Sequence, residues 1–129
     1  SNIGAKDIQD LKVNGIPLYL EISKKIVEWS IAGVGAVVGA TYPTELEEIS
    51  RLFISSGKQI PLLIPGVGSQ GGSVKEVINA LKNHGFDLNI VRINSSSSIN
   101  YAYKKQNTND YTGAAVKALK ELNKEIKLK

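Results

Sequence analysis

The sequence predicts an α/β protein in which parallel strands alternate with helices. Two apolar runs, residues 35–41 and 60–64, are too short for helices and have the composition of strands that are buried on both faces. Segments with apolar side chains at helical spacing separate the strands, which is typical of βαβ units and therefore of a parallel sheet. The length of 129 residues fits one domain with its own core.

The chain opens with an irregular stretch and a first helix. Residues 1–16 show no periodicity, and we expect them to be irregular. Pro17 suits the first position of a helix because that position does not need an N–H group. Apolar residues recur at helical spacing after it, so a helix is predicted over 17–30, followed by the strand at 35–41.

Two capping-box patterns mark the starts of the next two helices. In this pattern a Ser or Thr and a Glu three positions later satisfy backbone N–H groups at a helix start. The pairs are Thr44 with Glu47 and Ser73 with Glu76. A glycine follows each predicted helix and is expected to end it.

The last third of the chain predicts a strand over 87–94, a polar loop over 95–98 and a final helix over about 110–127. Three parallel strands leave two exposed sheet edges. We therefore expect a small open sheet or part of a larger one, and self-association through these edges.

Two strand-to-helix loops are candidates for binding an anion. Residues 64–72 read IPGVGSQGG, and residues 94–98 read NSSSS. Each loop lies at the carboxyl end of a parallel strand, where α/β proteins bind ligands. A glycine-rich loop can bring backbone N–H groups close to an anion or form a plain turn, and the second loop of this kind favours an anion site.

Composition excludes several classes of function. The chain has no Cys, so disulfide and thiolate chemistry are excluded and a reducing, cytoplasmic compartment is expected. It has one His and no cluster with metal-ligand spacing, so no metal is expected. Its apolar runs are far shorter than the ~20 residues of a membrane span, and no signal-peptide pattern is present.

The net charge of +4 is concentrated at one end of the chain. Residues 117–129 hold five Lys and two Glu, which accounts for +3 of it. Aromatic residues do not interleave with these lysines, so the pattern favours a solvated helix face over a nucleic-acid surface.

Four ordered segments resemble the orotidine 5′-phosphate decarboxylase family, in its longer bacterial and archaeal subgroup. They are VVGATYPTELEEI, PLLIPGVGSQGG, INSSSSINYA and the opening Ser1-Asn2-x-Gly4 with DLKVNGIPLY, and the resemblance runs in order through residues 1–104. The resemblance implies a (β/α)₈ TIM barrel, of which residues 1–129 form a C-terminal half with strands six to eight. It also implies decarboxylation of orotidine monophosphate to uridine monophosphate in pyrimidine biosynthesis, with no cofactor.

The resemblance further assigns substrate-binding positions. Ser1 corresponds to a serine that hydrogen-bonds the pyrimidine ring, Pro65 to a proline near the base, and Gln70 to a glutamine that reaches the phosphate. The other positions bring backbone close to the phosphate, and they are Gly71, Gly72, Ser95, Ser96 and Ser97. Taken alone, the residues leave open that Ser1 is only a chain end and that the serines are turn residues.

The sequence departs from the family pattern at a phosphate-binding position. The family has an arginine where this chain has Ser97, whose hydroxyl donates only one weaker hydrogen bond. Arg92 lies five residues upstream on a strand, about 16 Å away. We expect it to face the helix layer or to form an ion pair instead.

A second departure removes the expected catalytic groups. The family's D-x-K-x-x-D pattern is present only as far as Asp10 and Lys12. The resemblance therefore implies that this chain carries no catalytic residue and that the decarboxylating groups belong to an N-terminal half.

Three functions remain open at this point. The chain is a part of the decarboxylase that is active only with its N-terminal complement, or a non-catalytic half-barrel that binds a phosphorylated ligand or pairs with another half. The third is a different phosphate-binding barrel enzyme, such as a relative of ribulose-phosphate isomerase, against which Ser1, Asn2 and Gln70 argue. The expected ligands are orotidine or uridine monophosphate or a phosphate ion, with no nucleic acid and no membrane.

Overall fold

A parallel three-stranded sheet forms the centre of the chain. A computed structural model describes residues 3–68 and 71–126. The strands β3 (Ala36–Val37), β4 (Leu62–Pro65) and β5 (Val91–Asn94) lie in the order β3-β4-β5. Both neighbouring pairs are parallel, so the predicted α/β alternation with a parallel sheet is confirmed.

Helices cover one face of this sheet. Leu62 and Ile64 of β4 are fully buried in a core with side chains of α3 (Pro43–Ser55) and α4 (Val74–Lys82). The opposite face is open, because Leu63 is 43% exposed and its neighbour in register on β3, Val37, is 70% exposed. Successive side chains of a strand point to opposite faces of the sheet, so residues 62 and 64 face the helices and residue 63 faces the open side.

Two further helices pack against α3 and α4. Helix α2 (Leu18–Trp29) contacts α3, and the last helix α7 (Tyr111–Ile126) contacts α4. Within residues 3–68 and 71–126, no helix is both long enough and apolar enough to cross a bilayer.

The expected irregular start is wrong. A 3₁₀ turn at Ile3–Ala5 leads into a short helix, α1 (Lys6–Gln9), and then into an antiparallel hairpin of β1 (Lys12–Val13) and β2 (Ile16–Pro17). Asn14 and Gly15 form the two-residue connection with φ angles of 52° and 81°. Positive φ at both positions is what a type I′ hairpin turn requires, and Asn-Gly is the dipeptide that supplies it most readily.

The hairpin also displaces the start of the next helix. Pro17 has φ of −55° and ψ of 140°, which is extended backbone, so α2 begins one residue later than predicted, at Leu18. The strand predicted over 35–41 is reduced to Ala36–Val37.

One predicted helix cap is confirmed and the other is wrong. The Ser73 hydroxyl accepts a hydrogen bond from the Glu76 N–H at 3.4 Å, as expected for the start of α4. Helix α3, however, begins at Pro43 and has no side-chain cap. Proline is favoured at the first helical position, which places Thr44 inside the first turn.

The polar loop predicted over 95–98 is also wrong, since Ser96–Asn100 forms a short helix, α5. A second short helix, α6 (Ala102–Gln106), follows it and buries Ala102. Tertiary packing thus overrides the loop preference of four serines.

The strand predicted over 87–94 forms only in part. Leu88–Ile90 is a 3₁₀ turn, and β5 begins after it. The Asp87 carboxylate accepts a hydrogen bond from the Asn89 N–H at 2.9 Å, and such a local bond competes with strand pairing.

Candidate functional site

The loops that follow β4 and β5 meet at one edge of the sheet. Pro65 is paired in register with Asn94, so the two strands end at the same level. Gly68 lies so close to Ser98 that an added Cβ would be 2.8 Å from the Ser98 Oγ. The Ser95 hydroxyl donates a hydrogen bond to the Val67 carbonyl at 3.3 Å. The two loops predicted to bind an anion are therefore in direct contact.

Glycine in the first loop, residues 66–72, serves two different needs. Gly66, Gly68 and Gly71 have φ angles of 95°, 85° and 85°, a conformation that residues with a side chain rarely adopt. Gly72 instead satisfies a packing requirement, because an added Cβ would lie 2.7 Å from the Ala40 Cβ and 2.7 Å from the Gly66 carbonyl oxygen. The loop is held against the segment that follows β3 at this point.

Backbone hydrogen bonds inside the glycine loop use its own N–H groups. The Gly68 N–H donates to the Gly72 carbonyl at 3.0 Å, the Gly71 N–H to the Gly68 carbonyl at 3.0 Å and the Gly72 N–H to the Gly66 carbonyl at 3.1 Å. These three N–H groups hold the loop in its shape. In this arrangement Gly71 and Gly72 set the path of the backbone.

The second loop leads directly into α5. Ser95 is buried and precedes the helix, and α5 begins at Ser96. The Asn94 side chain donates a hydrogen bond to the Ser96 Oγ at 3.3 Å. This contact holds the Ser96 side chain back against β5.

A cavity of about 580 Å³ opens where the two loops meet. We call it the serine cavity, because Ser95, Ser97 and Ser98 line it together with Gly68. Side chains of α6 and α7 form its other walls, among them Lys105 and Lys117. Its volume is in the range of cavities that hold small ligands.

A second cavity, of about 340 Å³, lies at the end of β3 and is lined by Pro65. Polar residues also line it, including Lys6 of α1, Tyr19 of α2 and Asp10, which follows α1. The Tyr19 hydroxyl donates a 2.5 Å hydrogen bond to the Glu48 carboxylate. Burial and this carboxylate raise the pKa of Tyr19 well above its usual value, so the phenol keeps its proton.

Arg92 lies on the open face of the sheet and points away from the loops. Its Nη1 donates to the carbonyls of Asn89 and Val91 at 2.9 and 2.8 Å. The expectation that it faces the helix layer or forms an ion pair is therefore wrong. It is exposed and, among the described residues, has no carboxylate partner.

The structure brings part of the predicted site together. Ser95 and Ser97 line the serine cavity, whereas Pro65 lines the other one. The remaining described candidates belong to the two loops without lining either cavity, and they are Gly71, Gly72 and Ser96. Ser1 and Gln70 lie outside the described residues.

Sequence reasoning missed most residues that line the serine cavity, among them Gly68, Ser98, Lys105 and Lys117. Gly68 and Ser98 belong to the stretches that raised the anion hypothesis. No local signal identifies the two lysines, because only the packing of α6 and α7 brings them to the loops.

Together these features define a parallel α/β protein whose candidate site lies at the carboxyl edge of the sheet, as in α/β proteins that bind small ligands. No family model matches the chain. Among solved structures it is similar to a UMP synthase of Leishmania donovani, with a TM-score of 0.70 and 30% identity, covering 100% of this chain and 27% of that one. It shares its fold with a putative orotidine-monophosphate decarboxylase of Toxoplasma gondii, with a TM-score of 0.68, 23% identity and coverage of 98% and 47%.

Curated relatives give the family. The chain is 40% identical over 129 residues to the orotidine 5′-phosphate decarboxylase of Bordetella petrii, covering 98% of this chain and 44% of the relative. It is 42% identical over 105 residues to that of Herpetosiphon aurantiacus, with coverage of 79% and 36%. The chain is a homologue of the orotidine 5′-phosphate decarboxylase family and spans less than half the length of the relatives it matches. The resemblance seen in the sequence is thus confirmed.

Proposed function

We propose that residues 1–129 form the C-terminal half of an orotidine 5′-phosphate decarboxylase barrel, a single unit that carries strands six to eight. The observation that carries the proposal is the contact between the two loops, through Gly68 with Ser98 and Ser95 with Val67. The homology over nearly the whole chain supports it.

The phosphoryl group of orotidine or uridine monophosphate is proposed to bind in the serine cavity. Ser95 and Ser97 line this cavity and carry hydroxyl groups, and a phosphate monoester offers three acceptor oxygens. Pro65 is proposed to lie near the base, in the neighbouring cavity. Ser1 and Gln70 complete the proposed substrate contacts, and no cofactor takes part.

The open face of the sheet supports a role for a second half. Val37 and Leu63 leave an apolar surface uncovered, and β3 and β5 each have one strand neighbour among the described residues. Covering such apolar area is favourable by about 25 cal/mol per Å². We propose that an N-terminal half, or a second copy of this chain, packs against this face.

Activity is proposed to require that N-terminal half. The 129 residues contain no complete D-x-K-x-x-D pattern, because Asp10 and Lys12 are followed by Gly15 where the second Asp would stand. Charged groups placed around the reacting atoms are usually the largest contribution to catalysis. The isolated chain is therefore expected not to decarboxylate orotidine monophosphate.

A decarboxylation assay tests this proposal. The purified chain is compared with the chain co-expressed with the part of the Bordetella petrii decarboxylase that it does not match. We expect carbon dioxide release only from the co-expressed pair. Turnover by the chain alone would contradict the assignment of the catalytic groups to another half.

A non-catalytic half-barrel is the second candidate, and the exposure of Val37 and Leu63 favours it as well. A chain of this kind binds a phosphorylated ligand or pairs with another half without turnover. Binding of uridine monophosphate without activity in the co-expressed pair would select this candidate. Sedimentation tests pairing, with Val37→Lys expected to give a folded monomer where the original chain associates at micromolar concentration.

A further inference from the structure

We propose that Lys105 and Lys117 supply the positive charge that holds a phosphoryl group in the serine cavity, an inference that rests on the proposed function. The serines that line this cavity are neutral. A phosphate monoester carries about −1.5 to −2 charges at pH 7 and needs cationic partners when it leaves water. Lys105 and Lys117 are the cations among the described residues that line the cavity.

Two helices bring these lysines to the same wall. The Gln106 side chain, next to Lys105, donates a hydrogen bond to the Ala114 carbonyl at 3.0 Å and so joins the end of α6 to α7. Residues three apart on a helix share a face, and Lys117 is three residues beyond Ala114. Both lysines accordingly line the serine cavity, one from each helix.

Both lysines are available to an anion. Among the described residues, neither has a carboxylate oxygen within 4.0 Å, whereas Lys24 and Lys25 each have one at 2.6 and 2.7 Å. Lys104 differs, because it lies over the rings of Tyr101 and Tyr103 at 5.1 and 6.0 Å from the ring centres. It does not line the serine cavity.

The same cavity contains two carboxylates, which restrict where an anion can bind. Glu121 and Glu125 line it from α7, one and two helical turns beyond Lys117. At 1.5 Å of rise per residue they stand about 6 and 12 Å farther along the axis. Repulsion from them confines the phosphoryl group to the end of the cavity formed by the lysines and the serine loop.

Calorimetric titrations with uridine monophosphate and with uridine separate the contribution of the phosphoryl group to binding affinity from that of the nucleoside. We expect Lys105→Ala and Lys117→Ala each to weaken binding of the monophosphate by roughly fivefold, and the double variant by roughly twenty-fold. Uridine binding is expected to stay unchanged. The matched controls are Lys104→Ala on α6 and Lys120→Ala on α7, which remove a lysine from outside the cavity and are expected to change binding less than about twofold.

Two further variants test the sign of the charge effect. Lys105→Arg keeps the charge and is expected to retain binding, and Glu121→Gln removes a repulsive carboxylate and is expected to tighten it. All of these positions are exposed, so circular dichroism should show unchanged folding.

The outcomes distinguish this inference from the proposed function. If the original chain binds the monophosphate no more tightly than uridine, the proposed function fails, and the inference fails with it. If the chain prefers the monophosphate but the Lys105 and Lys117 variants bind like their controls, the inference alone is overturned.

Discussion

Substitution of Gly72 by alanine tests whether the glycine loop is fixed by close packing against Ala40, which follows β3 in the chain. The added Cβ would lie 2.7 Å from both the Ala40 Cβ and the Gly66 carbonyl oxygen. Carbon atoms pack at about 3.5–4.0 Å, so the loop would have to move by about 1 Å. Overpacking of this kind costs about 1–3 kcal/mol, and we expect Gly72→Ala to lower the free energy of unfolding by about 2 kcal/mol.

Gly71→Ala is the matched control in the same loop. Gly71 has φ of 85°, and an added Cβ would meet no atom within 4 Å. Its substitution carries the cost of a left-handed residue, about 1–2 kcal/mol, without a steric overlap. The two costs overlap in size, so a second change is needed to tell packing from backbone conformation.

Ala40→Gly provides that second change, because it removes one of the two close contacts made by a Cβ at position 72. Urea unfolding of the single and double variants gives the coupling energy. We expect a favourable coupling energy of at least about 0.5–1 kcal/mol between Ala40→Gly and Gly72→Ala. We expect no coupling between Ala40→Gly and Gly71→Ala. A Gly72→Ala chain as stable as the original, or purely additive effects with Ala40→Gly, would refute the packing argument.

Three further predictions concern the core, a helix start and pH. Phe53→Ala, in the centre of the core, should lower the free energy of unfolding by about 3–5 kcal/mol in urea, whereas Trp29→Ala at a 63% exposed position should change it by less than about 0.5 kcal/mol. Ser73→Ala should cost about 1 kcal/mol in the same assay, because it removes the cap of α4. A hydrogen bond from His84 lowers the pKa of Glu47 in the folded chain. The ionised carboxylate therefore stabilises the fold fully above its unfolded pKa of about 4.3, and this stability is lost as the pH falls through the pKa of the folded state. Thermal melts should therefore show a difference between the original chain and Glu47→Gln at pH 7 that vanishes near pH 2, and a difference that persists at pH 2 would exclude this cause.

Elements with a strong local signal were predictable from the sequence. The apolar runs around Ala36 and Leu62 predict the two strands, and Ser73 with Glu76 predicts the start of α4. The alternation of helices and strands then requires parallel pairing, and parallel strands place both loops at one edge. The contact of Gly68 with Ser98 follows from this topology.

Short elements and tertiary contacts were not predictable in the same way. The strands of the hairpin at 12–17 have two residues each, too few to show alternation, although Asn14-Gly15 carries the turn signal. The serine run forms α5, in which Ile99 is half-buried, and the next helix, α6, buries Ala102. Polar residues alone give no indication of such packing.

The candidate site also contains residues that the sequence could predict and residues that it could not. The loop positions Ser95 and Ser97 could be proposed from sequence because they follow a strand. Lys105 and Lys117 could not, because their place in the serine cavity depends on how α6 packs against α7. A basic helix face far along the chain is ordinarily interpreted as a solvated surface.

In the proposed function the two loops hold one phosphoryl group between them. Amide chemical shifts recorded by NMR during titration with uridine monophosphate, with uridine as the reference, test it most directly. We expect phosphate-dependent shifts concentrated in residues 66–72 and 95–98, with saturation at one common ligand concentration. Shifts confined to one loop, or located away from both, would contradict it.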